Sequence, residues 1–161
     1  MIESKSIRQG AIVAALALAF AGPAFAAGVV HSHDHAAGEA QLVLNQGKKW
    51  QTDAPLRQGM SNIRGAVAKN VKAIHTGKAT PPQYEALAQK VTTEVAGIVQ
   101  NCKLEPEADA QLHILIAELI AGVEAMEGKA QSETRQAGAE RVAKALNTYG
   151  DYFDHAGWKR L

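Results

Sequence analysis

Four stretches of this chain place apolar residues three and four positions apart, and that spacing constrains the fold more than any other feature. Leu56, Met60, Ile63, Val67, Val71 and Ile74 step by 4, 3, 4, 4 and 3. Such steps follow the turn of an α-helix and put all six side chains on one face. A second stripe runs through Tyr84, Leu87, Val91, Val95, Ile98 and Cys102. A third runs through Leu112, Leu115, Leu119, Val123 and Met126, with Ile116 and Ile120 beside it. The fourth is Val142, Leu146, Tyr149 and Phe153. Aromatic residues make up only 5% of the chain, which favours helix over sheet.

The punctuation between the stripes agrees with helices. Asp53 is a good N-cap with Pro55 in the first turn, and Gly77 stands where a C-terminal cap belongs. Thr80 and Pro81 open the second helix, Pro106 opens the third, and Gly128 ends it. The fourth is expected to begin near Ser132, and Gly150 weakens its last turns. Short links force neighbouring helices antiparallel. The expectation is an all-α protein, an up-down-up-down antiparallel four-helix bundle over residues 54–161. Leu42, Val43 and Leu44, followed by Asn45, Gln46 and Gly47, predict a short extended segment and turn.

The head of the chain reads differently. Lys5 and Arg8 precede an apolar run from Ala11 to Ala21, broken by Gly22 and Pro23 and followed by Ala24, Phe25 and Ala26. That is the pattern of a cleaved secretory signal, so residues 1–26 are set apart from the fold. Cleavage is expected after Ala26, with Gly28 the alternative, and the expected location is periplasmic. The apolar run is too short to span a bilayer, and no later stretch suffices either. Residues 27–53 read as a His-rich arm followed by the short extended segment.

Loss of Lys5, Arg8 and Glu3 would take Lys+Arg from 17 to 15 and Asp+Glu from 16 to 15, leaving a formally neutral chain. Nucleic acid, which needs a basic face, is therefore not an expected partner. Cys102 is the single cysteine, so no internal disulfide can form, and the Cys-x-x-Cys-His signature of covalent haem is missing.

The residues that carry chemistry point to metal. His31, His33 and His35 alternate in the arm, with Asp34 among them. Neutral imidazole is a general ligand for Cu(II), Zn(II) and Ni(II). Cleavage after Gly28 would also create a terminal Val29-Val30-His31, whose amine, amides and imidazole suit square-planar Cu(II) or Ni(II). In the expected topology the start of helix 1, the end of helix 2 and the start of helix 3 share one end. Met60, Cys102 and His113 therefore converge there, a thioether, thiolate and imidazole set suited to copper. Each also has a plain structural role available: Met60 as core filler, Cys102 as a buried thiol, His113 as a boundary histidine. His75 precedes the capping Gly77 and fits a helix-dipole role. On an unbroken fourth helix His155 lies about 140° from the Val142 stripe, facing solvent unless the helix kinks or ends. No nucleophile, base and orienting residue form a set, no phosphate-binding glycine loop is visible, and the expected protein is not an enzyme.

With Met60 in the first helix, His155 near the end of the last, and Pro81-Pro82 opening the second, the chain resembles the four-helix periplasmic cytochromes of the b-type and c-prime kind. The resemblance covers residues 54–157 and implies haem b held by Met60 and His155, and electron transfer. The residues alone favour another expectation: an exported bundle that binds a transition metal, copper foremost, for homeostasis or delivery with a periplasmic donor or acceptor protein. A third expectation is a ligand-free structural or chaperone-like helical protein, whose sign would be a large exposed apolar face.

Overall fold

Asp53 begins the helical part of the chain as expected. In the computed structural model, which describes residues 41–161, its Oδ1 accepts the Leu56 N–H at 2.9 Å and starts α1, Ala54–His75. α1 ends on Gly77, whose φ of 64° lets its N–H reach the Ile74 carbonyl while Lys78 N–H reaches Ala73. α2 spans Pro81–Asn101, and the Gln83 side chain reaches back to accept the Thr80 N–H at 2.8 Å. α3 spans Pro106–Met126 and closes on Gly128 as α1 does on Gly77. α4 spans Arg135–Tyr152, with Thr134 rather than Ser132 as its N-cap, accepting the Ala137 N–H at 3.1 Å.

α1 packs on α2 and α4, and α3 packs on α2 and α4, with a smaller diagonal contact between α2 and α4. The connections, residues 76–80, 102–105 and 127–134, are short. The described residues are thus an all-helical four-helix bundle around one core. The stripes supply it: Leu56, Met60, Ile63, Val67, Leu87, Val91, Val95, Leu115, Leu119, Val123, Val142, Leu146 and Tyr149 are all buried there. None of the described helices is long and apolar enough to cross a membrane.

α3 and α4 approach most closely at two glycines. A Cβ on Gly138 would lie 2.6 Å from the Gly122 carbonyl oxygen and 2.6 Å from Ala125 Cβ. A Cβ on Gly122 would lie 2.7 Å from the Gly138 carbonyl oxygen. The two helices touch backbone to backbone there, which any side chain would prevent.

The chain on either side of the helices folds back over one end. Asn45 and Lys48 exchange backbone hydrogen bonds around a tight turn at Gln46 and Gly47, both at positive φ. Trp50 N–H donates to the Tyr152 carbonyl and the Trp50 carbonyl accepts from Asp154 N–H, both at 2.8 Å. This pairs Trp50 with Phe153 as an isolated parallel bridge, and the expected extended segment forms no strand among the described residues. The Trp50 indole N–H is satisfied by the Val43 carbonyl at 2.7 Å. α4 runs unbroken through Gly150 and stops at Tyr152, where Phe153 turns extended and drops its ring into the core against Tyr149. The Trp158 indole then lies over Gly150, so close that a Cβ there would stand 2.3 Å from Cδ1. The expected signal peptide and the His31, His33 and His35 arm fall outside the described residues.

Candidate metal-binding groove at the strapped end

Residues 41–53 form a strap, pinned by Trp50 to Phe153, over the end where α1 starts and α2 gives way to α3. Asp53 ties these points together: its Oδ1 caps α1, and its Oδ2 accepts the Lys103 N–H at 2.6 Å. Cys102 is the residue on which α2 ends. Its N–H completes the last turn to the Ile98 carbonyl at 2.8 Å, and its backbone then turns extended. The side chain is half-buried. Burial pushes its thiol up to about 12, with the nearby Asp53 and Asp109 carboxylates adding to the shift. The free thiol is therefore protonated at neutral pH.

Cys102 and His113 line one groove of about 290 Å³ between the end of α2 and the start of α3, with Ile98, Leu112 and Ile116 as its apolar wall. Asp109 also lines it, one helical turn before His113. His113 is exposed, and its Nδ1 lies 2.9 Å from the Asp109 carbonyl oxygen and 3.4 Å from the Asp109 carboxylate. A carbonyl can only accept, so Nδ1 carries the proton and donates. In the neutral imidazole Nε2 then carries the lone pair, and it has no protein partner among the described residues. This is the arrangement that prepares a histidine for metal: one ring nitrogen held by a backbone oxygen, the other open.

Met60 does not join them at the surface. It is wholly buried in the core and is absent from the groove lining. Among the described residues, no three side chains of His, Cys, Asp and Glu are grouped closely enough to hold a metal ion unaided. Two carboxylates stand near the Cys102 thiol and raise its pKa, Asp53 and Asp109. Asp109 stands four residues before His113, a spacing that puts both on one helix face. Asp53 is more than a cap, because its second oxygen accepts from the connection between α2 and α3.

His155 sits elsewhere. Because α4 ends at Tyr152, it escapes the phase of an unbroken helix and turns in beside Tyr149 and Trp158. Its Nδ1 is 3.0 Å from the Tyr149 hydroxyl and its Nε2 is 3.4 Å from Ser61 Oγ. Burial lowers its pKa, and the Arg57 charge adds to this. Burial also raises the pKa of Tyr149, which stays a neutral phenol.

Between α2 and α3, farther along, a second groove of about 520 Å³ is floored by Val95, Val99, Ile120 and Val123. Val99 and Ile120 are 59% and 44% exposed, the two large apolar side chains of the helices that remain in solvent. Comparison with protein-family models, with curated proteins and with solved structures finds no match.

Proposed function

We propose that this protein is an exported, non-enzymatic binder of a transition metal, with copper the best-fitting ion, and that it serves metal homeostasis or delivery. Copper is its cargo. The observation that supports this reading is that Cys102 and His113 line one groove, with His113 Nε2 open and its Nδ1 anchored to the Asp109 carbonyl. Thiolate and imidazole are a soft pair suited to Cu(I). The carboxylates that raise the thiol pKa do so by making the groove negative, and the same field draws in a cation. On binding, the ion takes the sulfur lone pair and the thiol proton leaves to solvent, so affinity rises with pH. Two protein ligands leave coordination positions open on the ion. His31, His33 and His35 of the arm would capture ions in their own right.

The test is competition with a chromophoric Cu(I) chelator under anaerobic conditions. Cys102→Ser and His113→Ala are each expected to remove most of the Cu(I) affinity, and replacing His31, His33 and His35 together by Ala to lower the number of Cu(II) ions bound. Folded-state binding at a hundredfold excess over Kd raises stability by about 2.7 kcal/mol. Cu(I) affinity unchanged in Cys102→Ser would overturn the reading.

One observation favours a second reading, a chaperone-like helical protein. The Val99 and Ile120 groove is an apolar face left open to solvent. Val99→Ser with Ile120→Ser would then abolish suppression of aggregation of an unfolded client while leaving copper binding intact.

A further inference from the structure

The tail after α4 builds a cleft that the metal reading does not use. Phe153 is fully buried and fixes where the tail leaves the bundle. A tight turn follows, closed by Trp158 N–H on the His155 carbonyl at 3.0 Å, with Gly157 at a φ of 78°. Residues 159–161 then run beside α1 and α4. Arg64 of α1 holds them: its Nε donates to the Lys159 carbonyl, and its Nη2 reaches the Arg160 carbonyl at 3.4 Å. Leu161 N–H donates to Asn147 of α4 at 2.9 Å.

Between this tail and α1 lies a cleft of about 120 Å³ lined by Ser61, Arg64, His155, Gly157, Trp158 and Lys159. Its chemistry is one-sided. Two cations line it, together with a hydroxyl and an imidazole, and no carboxylate does. The two grooves between α2 and α3 each have a carboxylate in the wall, Asp109 in one and Glu124 and Glu127 in the other. The nearby acids are engaged elsewhere: Asp151 pairs with Arg160, and Asp154 meets the Gln51 amide at 3.5 Å. A guanidinium has five N–H donors, and the tail carbonyls occupy one on each of two nitrogens. Lys159 Nζ makes no hydrogen bond or ion pair among the described residues. The Trp158 indole, seated on Gly150, walls the cleft with a rigid apolar face that strengthens charge interactions inside.

We propose that this cleft binds a small oxyanion of the phosphate or sulfate type. Arg64 offers a guanidinium edge already fixed by the tail, which limits the ordering cost of capture. Lys159 adds a point charge and Ser61 a hydroxyl. The volume corresponds to about four water molecules at ~30 Å³ each, and falls below the ~300 Å³ at which pockets begin to admit drug-sized ligands. Nucleotides, sugars and haem are too large. Protonated His155 adds a donor at Nε2, so binding takes up a proton. The charged and titratable groups around it are Arg57 and Arg64 from α1, Tyr149 from α4, and Asp154 and Lys159 from the tail. Burial and the Arg57 charge oppose protonation of His155, and a bound anion offsets them.

The experiment titrates the chain, carrying its arm and tail, with inorganic phosphate, sulfate and acetate at fixed ionic strength. Calorimetry and the Trp158 indole N–H resonance report binding. Phosphate and sulfate are expected to saturate and shift that resonance, with acetate weaker. Arg64→Gln and Lys159→Gln are each expected to weaken binding by about tenfold or more, the size of one charge-assisted hydrogen bond, while Lys144→Gln, in the groove between α3 and α4 and absent from the cleft, leaves it unchanged. Sulfate is expected to bind more tightly at pH 5.5 than at pH 7.5, and His155→Gln to remove that difference. Arg64 also braces the tail, so Lys159→Gln, whose side chain braces nothing, decides if Arg64→Gln is misfolded by circular dichroism. Non-saturating shifts in the wild type, or wild-type affinity in Lys159→Gln, overturn the proposal.

Discussion

Placing a methyl group on Gly138 sets two rules of helix stability against each other. An alanine inside a helix is favoured over glycine by about 1 kcal/mol, so propensity alone forecasts a more stable protein. The α3–α4 contact forecasts the opposite. The new Cβ would stand 2.6 Å from Ala125 Cβ, 2.6 Å from the Gly122 oxygen and 2.9 Å from the Met126 nitrogen. Two of these atoms are backbone and cannot swing away. Restoring ordinary contact at about 3.5–4.0 Å requires the two helices to part by roughly 1 Å. Forcing a methyl group into a packed core costs about 1–3 kcal/mol, and with two immovable neighbours the upper half of that range applies. The net expectation is a loss of about 1–2 kcal/mol. Gly97 is the matched control, since a Cβ there meets nothing within 4 Å, and Gly97→Ala should gain about 0.5–1 kcal/mol. Urea unfolding followed by circular dichroism separates them. With m of about 1–3 kcal/mol/M for a protein this size, the two midpoints should lie roughly 1 M apart, on opposite sides of the wild type. A Gly138→Ala variant as stabilised as Gly97→Ala would refute the close α3–α4 approach.

Two further outcomes follow from the titrating groups. Asp53→Asn keeps a good N-cap for α1 but removes one of the charges that raise the Cys102 thiol. Alkylation of Cys102 at pH 8.5 should therefore accelerate, though burial keeps it slower than a free thiol, and an unchanged rate would remove Asp53 from the account. His155 has its folded pKa depressed by burial and by Arg57, so the unfolded chain binds its proton first. Its contribution to stability is complete above about pH 6.5 and is lost as pH falls through the folded value. His155→Asn should flatten the thermal stability profile below pH 6.5, and a profile as steep as the wild type would show that another group carries the loss.

The helical stripes were legible because the spacing that buries a helix face is written directly in the order of residues. Asp53, Thr80, Pro81 and Pro106 were legible as starts for the same local reason. Gly122 and Gly138 were not, since a glycine inside a helix reads as a weak point until the neighbouring helix is known to press on it. Gly150 misled in the same way: it is no break in α4 but the seat of Trp158. The phase of the stripe puts His155 in solvent unless the helix kinks or ends, and α4 ends at Tyr152, three residues before it. Topology set Met60, Cys102 and His113 at one end; Cys102 and His113 line one groove there, while Met60 lies in the core. What the spacing could not reveal is the reversal at Phe153, which lays the tail against Ser61 and Arg64, because that depends on contacts between residues more than ninety positions apart.

The pairing of Trp50 with Phe153 has a consequence for the order in which the chain can mature. The first element before the bundle is held by the first residue after it. A ribosome, or any channel that passes a chain from its N-terminus, delivers Trp50 long before its partner. All four helices can be present while the strap still hangs loose and Phe153 has yet to fill its place beside Tyr149. Contacts this distant in sequence form late because the intervening loop must close first. The end of the bundle where Trp50 meets Phe153 is therefore the last part of the molecule to close.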